Sequence, residues 1–106
     1  MAHSQILDIA SEHSLTFYCG DLPADPAVVA AQHEPNGYFW EGVATFVAPE
    51  IADRLDLDSE AGMFSASGSK TDCQALQAVL EPLIGSSEAI SGVITRANEA
   101  GFEFDD

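Results

Sequence analysis

The chain has almost no positive charge: Lys70, Arg54 and Arg96 stand against 18 acidic residues, for a formal net charge of −15. Nucleic-acid binding needs clustered Lys or Arg to neutralise phosphates, so it is excluded, and an anionic lipid surface is repelled for the same reason. Long apolar runs are missing too. No stretch reaches the ~18 consecutive apolar residues of a membrane span, and the N-terminus lacks the basic, apolar and small-residue order of a signal peptide. A cytoplasmic protein is the expectation. Cysteine is limited to Cys19 and Cys73, far apart and outside any C-x-x-C pair, so two free thiols behaving as small hydrophobes are expected.

Recognisable catalytic patterns are equally sparse. His3, His13 and His33 are isolated, the serines lack a G-x-S-x-G context, and no Lys follows Gly85-Ser86-Ser87 to make a phosphate loop. No catalytic residue, metal ligand or cofactor is assigned. Asp56, Asp58 and Glu60 alternate just before Gly62 and invite a calcium reading, but the spacing fails. An EF-hand loop needs Gly at its sixth position and Glu at its twelfth, whereas counting from Asp56 puts Gly62 seventh and Ser67 twelfth. Solvated outer positions of a strand explain these acids better.

What remains is a chain of 106 residues, 46% of them hydrophobic. At this length roughly 60–70% of the unfolded surface is buried on folding without metals or disulfides. No repeat, linker or composition break divides it, so residues 1–106 are read as one domain. The acids are evenly spread, with a formal charge of −5 on each of residues 1–36, 37–66 and 67–106. Such a surface attracts a basic protein at long range. A host composition that disfavours Lys would give the same count, and at this point both readings stand.

The stretch Asn36 to Ser67 holds the only Trp, and the other elements are arranged around it. Asn36-Gly37 reads as a turn, because both residue types tolerate positive φ. Trp40, Val43, Ala44, Val47 and Ile51 recur at spacings of three and four, the core face of a helix, with Glu41 and Thr45 on its other side. Pro49 cannot donate to the carbonyl four residues back. It predicts a kink, or a second short helix with Pro49 at its first position. Leu55 and Leu57 then alternate with Asp56 and Asp58, Ser59 to Gly62 turn the chain, and Met63 to Ser67 alternates again, which makes an antiparallel hairpin.

Before this stretch, residues 4–9 and 14–19 predict a first hairpin. Asp25 is placed to cap a short helix over about residues 26–33 with Pro26 at its first position. After it, Ser69 opens a helix with Asp72 three residues on, an apolar face of Cys73, Leu76, Val79, Leu80 and Leu83, and an end at Pro82 and Gly85. Ser86 or Ser87 caps a last helix through Ile90, Val93, Ile94 and Ala97, stopped by Gly101. Phe102 and Phe104 then add an edge strand, or Phe102 folds back onto that helix. The order predicts an α+β domain, a mainly antiparallel sheet of two hairpins with helices packed on one face and the other face open to a partner.

Tyr38, Phe39 and Trp40 are contiguous and cannot all face inward on a helix. Trp40 shares the apolar stripe and is assigned to the core, together with Val43, Val47, Leu57, Phe64, Leu76, Leu80 and Val93. Tyr38 and Phe39 are assigned to a partner surface, with Glu41, Asp56, Asp58 and Glu60 as the acids that steer the partner in.

These residues carry a resemblance. Asn36-Gly37-Tyr38 with Trp40-Glu41, the run Asp58-Ser59-Glu60-Ala61-Gly62-Met63-Phe64 and the following helix with Leu76 resemble the immunity protein 51 family, the antidote proteins of bacterial polymorphic toxin systems. The resemblance covers about residues 33–84, and the chain departs from the family's pattern at Phe39, where that pattern carries an acid. It implies function by inhibition: a protein that is no enzyme, binds its cognate toxin and blocks it. A toxin suited to this charge is basic, a nuclease for example. The competing classes are a small enzyme built on a carboxylate pair such as Glu41 and Glu60, and an acidic adaptor or scaffold.

Overall fold

The computed structural model describes residues 3–9 and 11–104. Four strands, β1 (Gln5–Ile9), β2 (Glu12–Tyr18), β3 (Asp56–Leu57) and β4 (Met63–Gly68), form one antiparallel sheet in the order β1-β2-β4-β3. Between the two hairpins run α1 (Asp25–Ala30), α2 (Gly37–Val47) and α3 (Pro49–Arg54), and α4 (Lys70–Ile84) and α5 (Ser87–Glu99) follow. The α+β class and the two-hairpin antiparallel sheet read from the sequence are the observed ones. β2 begins earlier than its apolar alternation indicated, because Glu12 pairs with Ile9 and His13 with Asp8.

The register sets Leu15 and Phe17 of β2 beside Ala66 and Phe64 of β4, and all four are buried beneath the helices. Phe17 stacks on Phe64 at 4.8 Å and meets the edge of Trp40 at 5.6 Å. The core residues named from the sequence share this one cluster: Trp40, Val43, Phe64, Leu76, Leu80 and Val93 are fully buried in it, and Val47 and Leu57 pack at its margin.

Several local readings need correction. Asn36-Gly37 is no positive-φ turn. Asn36 is extended at φ −123 and caps α2, its Oδ1 accepting from the Phe39 N–H at 2.9 Å. Gly37 is required for a different reason: a Cβ there would lie 2.6 Å from the Met63 carbonyl oxygen and closer still to that of Glu60. Asp25 does not cap α1. It is the first helical residue, and its Oδ2 reaches back to the Leu22 N–H at 3.2 Å. α1 also stops at Ala30, short of His33, with Gln32 at φ 68 just beyond it. Pro82 does not end α4, which continues to Ile84. Lying in the last turn, Pro82 removes only one bond of the ladder, and the Gly85 N–H closes the end on the Glu81 carbonyl at 3.1 Å.

Other signals hold as read. Pro49 takes a first-turn position of a second short helix, and Ser69 and Ser86 cap α4 and α5 by accepting from Asp72 and Ala89. Gly101, at φ +75, ends the last helix, where the Phe102 N–H donates to the Ala97 carbonyl at 2.9 Å. Among the described residues the tail beyond it forms no edge strand. It crosses to α2, setting Phe102 against Phe46 at 5.3 Å and Phe104 against Phe39 at 4.9 Å.

Glu81 of α4 ties the first described residues to the helix layer. It accepts from the His3 N–H at 3.0 Å, the Ser4 N–H at 2.7 Å and the Ser4 hydroxyl. Burial raises its carboxyl, and these donors outweigh burial and hold the pKa below the ordinary 4.5. A depressed carboxylate stabilises the fold above its unfolded pKa, and that contribution is lost as pH falls through the folded value. Glu81→Gln should therefore lower the urea midpoint at neutral pH, with a deficit against wild type that shrinks once pH drops below 4.5. A deficit that stays constant through the acid range would contradict the tether.

Candidate functional site

α2, β3 and the C-terminal tail enclose a groove of about 210 Å³ lined by Tyr38, Glu41, Gly42, Thr45, Leu57, Phe102 and Glu103. Its geometry starts from the Asn36 cap, which fixes where α2 begins and so which residues leave the core. Tyr38, Glu41 and Thr45 follow at helical spacing along the outward side, and Tyr38 is 43% exposed. Glu41 is held in place, because its Oε2 accepts from the Ser59 N–H at 2.8 Å. Thr45 donates its hydroxyl to the Glu41 carbonyl at 2.9 Å. Leu57 comes from β3, and Phe102, braced by Phe46, forms the tail's wall. A second depression of about 230 Å³, lined by Thr45, Pro49, Ala52, Asp53 and Leu57, shares Thr45 and Leu57 with the first and prolongs the groove along α3.

The groove is acidic. Glu41, Glu103 and Asp53 line it, and no Lys or Arg does. Arg54, the base nearest in sequence, is turned to Asp72, with both Nη2 and Nε 3.1 Å from Oδ1. The hydrogen bond and charge of that pair raise the Arg54 pKa, and the same hydrogen bond lowers that of Asp72.

Tyr38 and Glu41 thus meet as expected, but Phe39 does not join them. It is fully buried, 5.6 Å from the rings of His33 and Trp40 and 4.9 Å from Phe104. The assignment of Phe39 to a partner surface is corrected. The tail widens the apolar face of α2, so two neighbours 100° apart on the helix, Phe39 and Trp40, both fit inside it. Asp56, Asp58 and Glu60 lie outside the groove as well. Asp56 pairs with Ser67, the Asp58 N–H donates to Ser65, and Glu60 bridges to Met63, which places all three along one margin of the sheet's uncovered face. Gly42, Thr45, Asp53, Leu57, Phe102 and Glu103 were among the lining residues missed as site residues. Only the aromatic alternation of the tail hinted at Phe102.

Among the described residues no three His, Cys, Asp or Glu side chains converge to hold a metal ion. Cys19 and Cys73 are free. Burial pushes the Cys19 thiol up to about 11 and raises Cys73 too, so both are protonated thiols at neutral pH. What the groove can do is receive. Its aromatic and aliphatic walls suit a hydrocarbon stem, and the second oxygen of Glu41, with Glu103, suits a cationic head. No described helix is long and apolar enough to cross a membrane. Comparison with protein-family models, curated proteins and solved structures finds no match.

Gly42 keeps the tail's wall in place. Gly→Ala inside a helix ordinarily stabilises by about 1 kcal/mol, but a Cβ at Gly42 would sit 2.7 Å from the Phe104 ring. Gly42→Ala should therefore gain nothing in denaturant titration and should shift the Phe102 and Phe104 ring resonances. The full gain with unaltered ring resonances would contradict this role.

Proposed function

We propose that the chain is a toxin-neutralising binding module that acts in the cytoplasm, docking a basic effector protein on the groove at Tyr38 and Glu41. The observation that carries this reading is one juxtaposition. An exposed aromatic ring, a carboxylate fixed by a backbone N–H and an apolar floor share a groove without a single base, on a chain of net charge −15. Tyr38 offers a cation-binding ring face, and Glu41 is already oriented, so little freedom is lost when a partner's Lys or Arg arrives. An effector that handles phosphates, such as a nuclease, needs a basic cleft, which an acidic module covers. No cofactor or metal enters the mechanism.

The resemblance to the immunity protein 51 family supports the inhibitory reading. Its two motifs are in contact: the Gly37 N–H donates to the Ala61 carbonyl at 3.2 Å, and Glu41 holds the Ser59 N–H. Charge spread over the whole surface speeds encounter, and the groove then sets how long the complex lives.

Co-expression with the toxin encoded beside its gene should restore growth of a bacterial host, and Tyr38→Ala with Glu41→Gln should abolish that rescue. In surface-capture kinetics Tyr38→Ala should speed dissociation about tenfold, and wild-type association should slow as salt shortens the Debye length towards ~8 Å. A toxin unaffected by the chain would contradict the proposal. So would a salt-independent association rate with wild-type kinetics for the double variant.

A further inference from the structure

The sheet's other face is a second surface that the groove does not use. The register builds it in rows: Leu7, Ser14, Ser67 and Asp56, then Gln5, Thr16 and Ser65 with Asp58 beside it, then Tyr18, Met63 and Glu60. Its centre is a low floor of hydroxyl groups. Ser67 donates to the Ser14 hydroxyl at 3.1 Å, and the Ser14 and Ser65 hydroxyls lie 3.4 Å apart. Thr16 is 95% buried in this floor, at 5% exposure, and its hydroxyl has no hydrogen-bond partner among the described residues.

The margins of the floor are uneven. Tyr18 is 72% exposed and Leu7 38% on the β1 and β2 side, and Asp56, Asp58 and Glu60 stand exposed on the β3 side. None of these three acids enters an ion pair among the described residues. Arg54 is engaged by Asp72, and Lys70 and Arg96 belong to helices α4 and α5.

We propose that this face is a second docking surface, which takes an extended, arginine-bearing segment of a protein partner. The sign of the ledge selects a cation. The low floor leaves room for a planar guanidinium standing edge-on, whose in-plane N–H groups can reach the hydroxyls or fork onto a carboxylate of the ledge while its face stacks on Tyr18. A lysine ammonium supplies the charge without the plane. A second copy of this chain is a poor occupant, because it would bring ledge against ledge. The class of partner rests on the proposed function, but the residues are separate from the groove, so each surface can fail alone.

The test is an NMR titration of the ¹⁵N-labelled full chain with an Arg-Gly repeat peptide and a matched Lys-Gly peptide. It uses wild type, the groove variant Tyr38→Ala, and the ledge variant Asp56→Asn with Asp58→Asn and Glu60→Gln. The Arg peptide should give saturable shifts at the amides of Ser14, Thr16, Tyr18, Ser65 and Ser67. These should survive in the groove variant and weaken at least about tenfold in the ledge variant, with the Lys peptide several-fold weaker. The unperturbed remainder of the spectrum checks that the ledge variant is folded. Shifts confined to residues 38–45 and 102–103 would overturn the second surface and leave the groove reading standing. Unsaturable shifts spread over all the acids, no shifts, or a ledge variant that binds like wild type would also overturn it.

Discussion

The structure depends on the seating of the first turn of α2 against the hairpin turn that joins β3 to β4. Backbone meets backbone there, with the Ser59 Cβ packed alongside. The Gly37 N–H reaches the Ala61 carbonyl at 3.2 Å, and one turn further on Glu41 holds the Ser59 N–H at 2.8 Å. This contact aims α2 across the sheet so that Trp40 meets Phe17 above the stacked Phe64. It also turns Tyr38 and Glu41 outward over Leu57 and fixes the turn from which the acidic ledge rises. Core, groove and ledge are set by one close approach, and only glycine permits it.

The charge distribution has a related consequence. With 18 acids and three bases, the chain carries self-repulsion that the apolar core must offset. The acids that face the groove and those along β3 lie on different surfaces, because side chains alternate along β3: Leu57 turns to the groove, and Asp56 turns to the opposite face beside Ser67. The surface therefore carries two separate acidic margins, one around an aromatic groove and one beside a floor of hydroxyls.

Most of the fold was legible in the sequence because its signals are local. Ser69 and Ser86 cap helices from one turn away, Pro49 starts one, and the alternation of Leu57, Phe64 and Ala66 marks strands whose faces differ. The candidate site was only half legible. Tyr38 and Glu41 could be placed by helical spacing, whereas Phe39 was misplaced because what buries it, Phe104, lies 65 residues away in a tail whose course no local signal fixes. Asn36-Gly37 misled for the same reason: the pair favours a turn by conformation, but Gly37 answers to a steric demand from Glu60 and Met63 that only the tertiary structure shows.

The most direct test of this account is the stability and amide spectrum of Gly37→Ala. In a helix with free space around it, the added methyl would raise stability by about 0.5–1 kcal/mol. Here it must push against two backbone carbonyls that cannot yield without moving the hairpin, so denaturant titration should show a loss of about 1–3 kcal/mol. The amides of Tyr38, Glu41 and residues 56–63 should shift together. A gain in stability, with the spectrum altered only beside residue 37, would contradict the account.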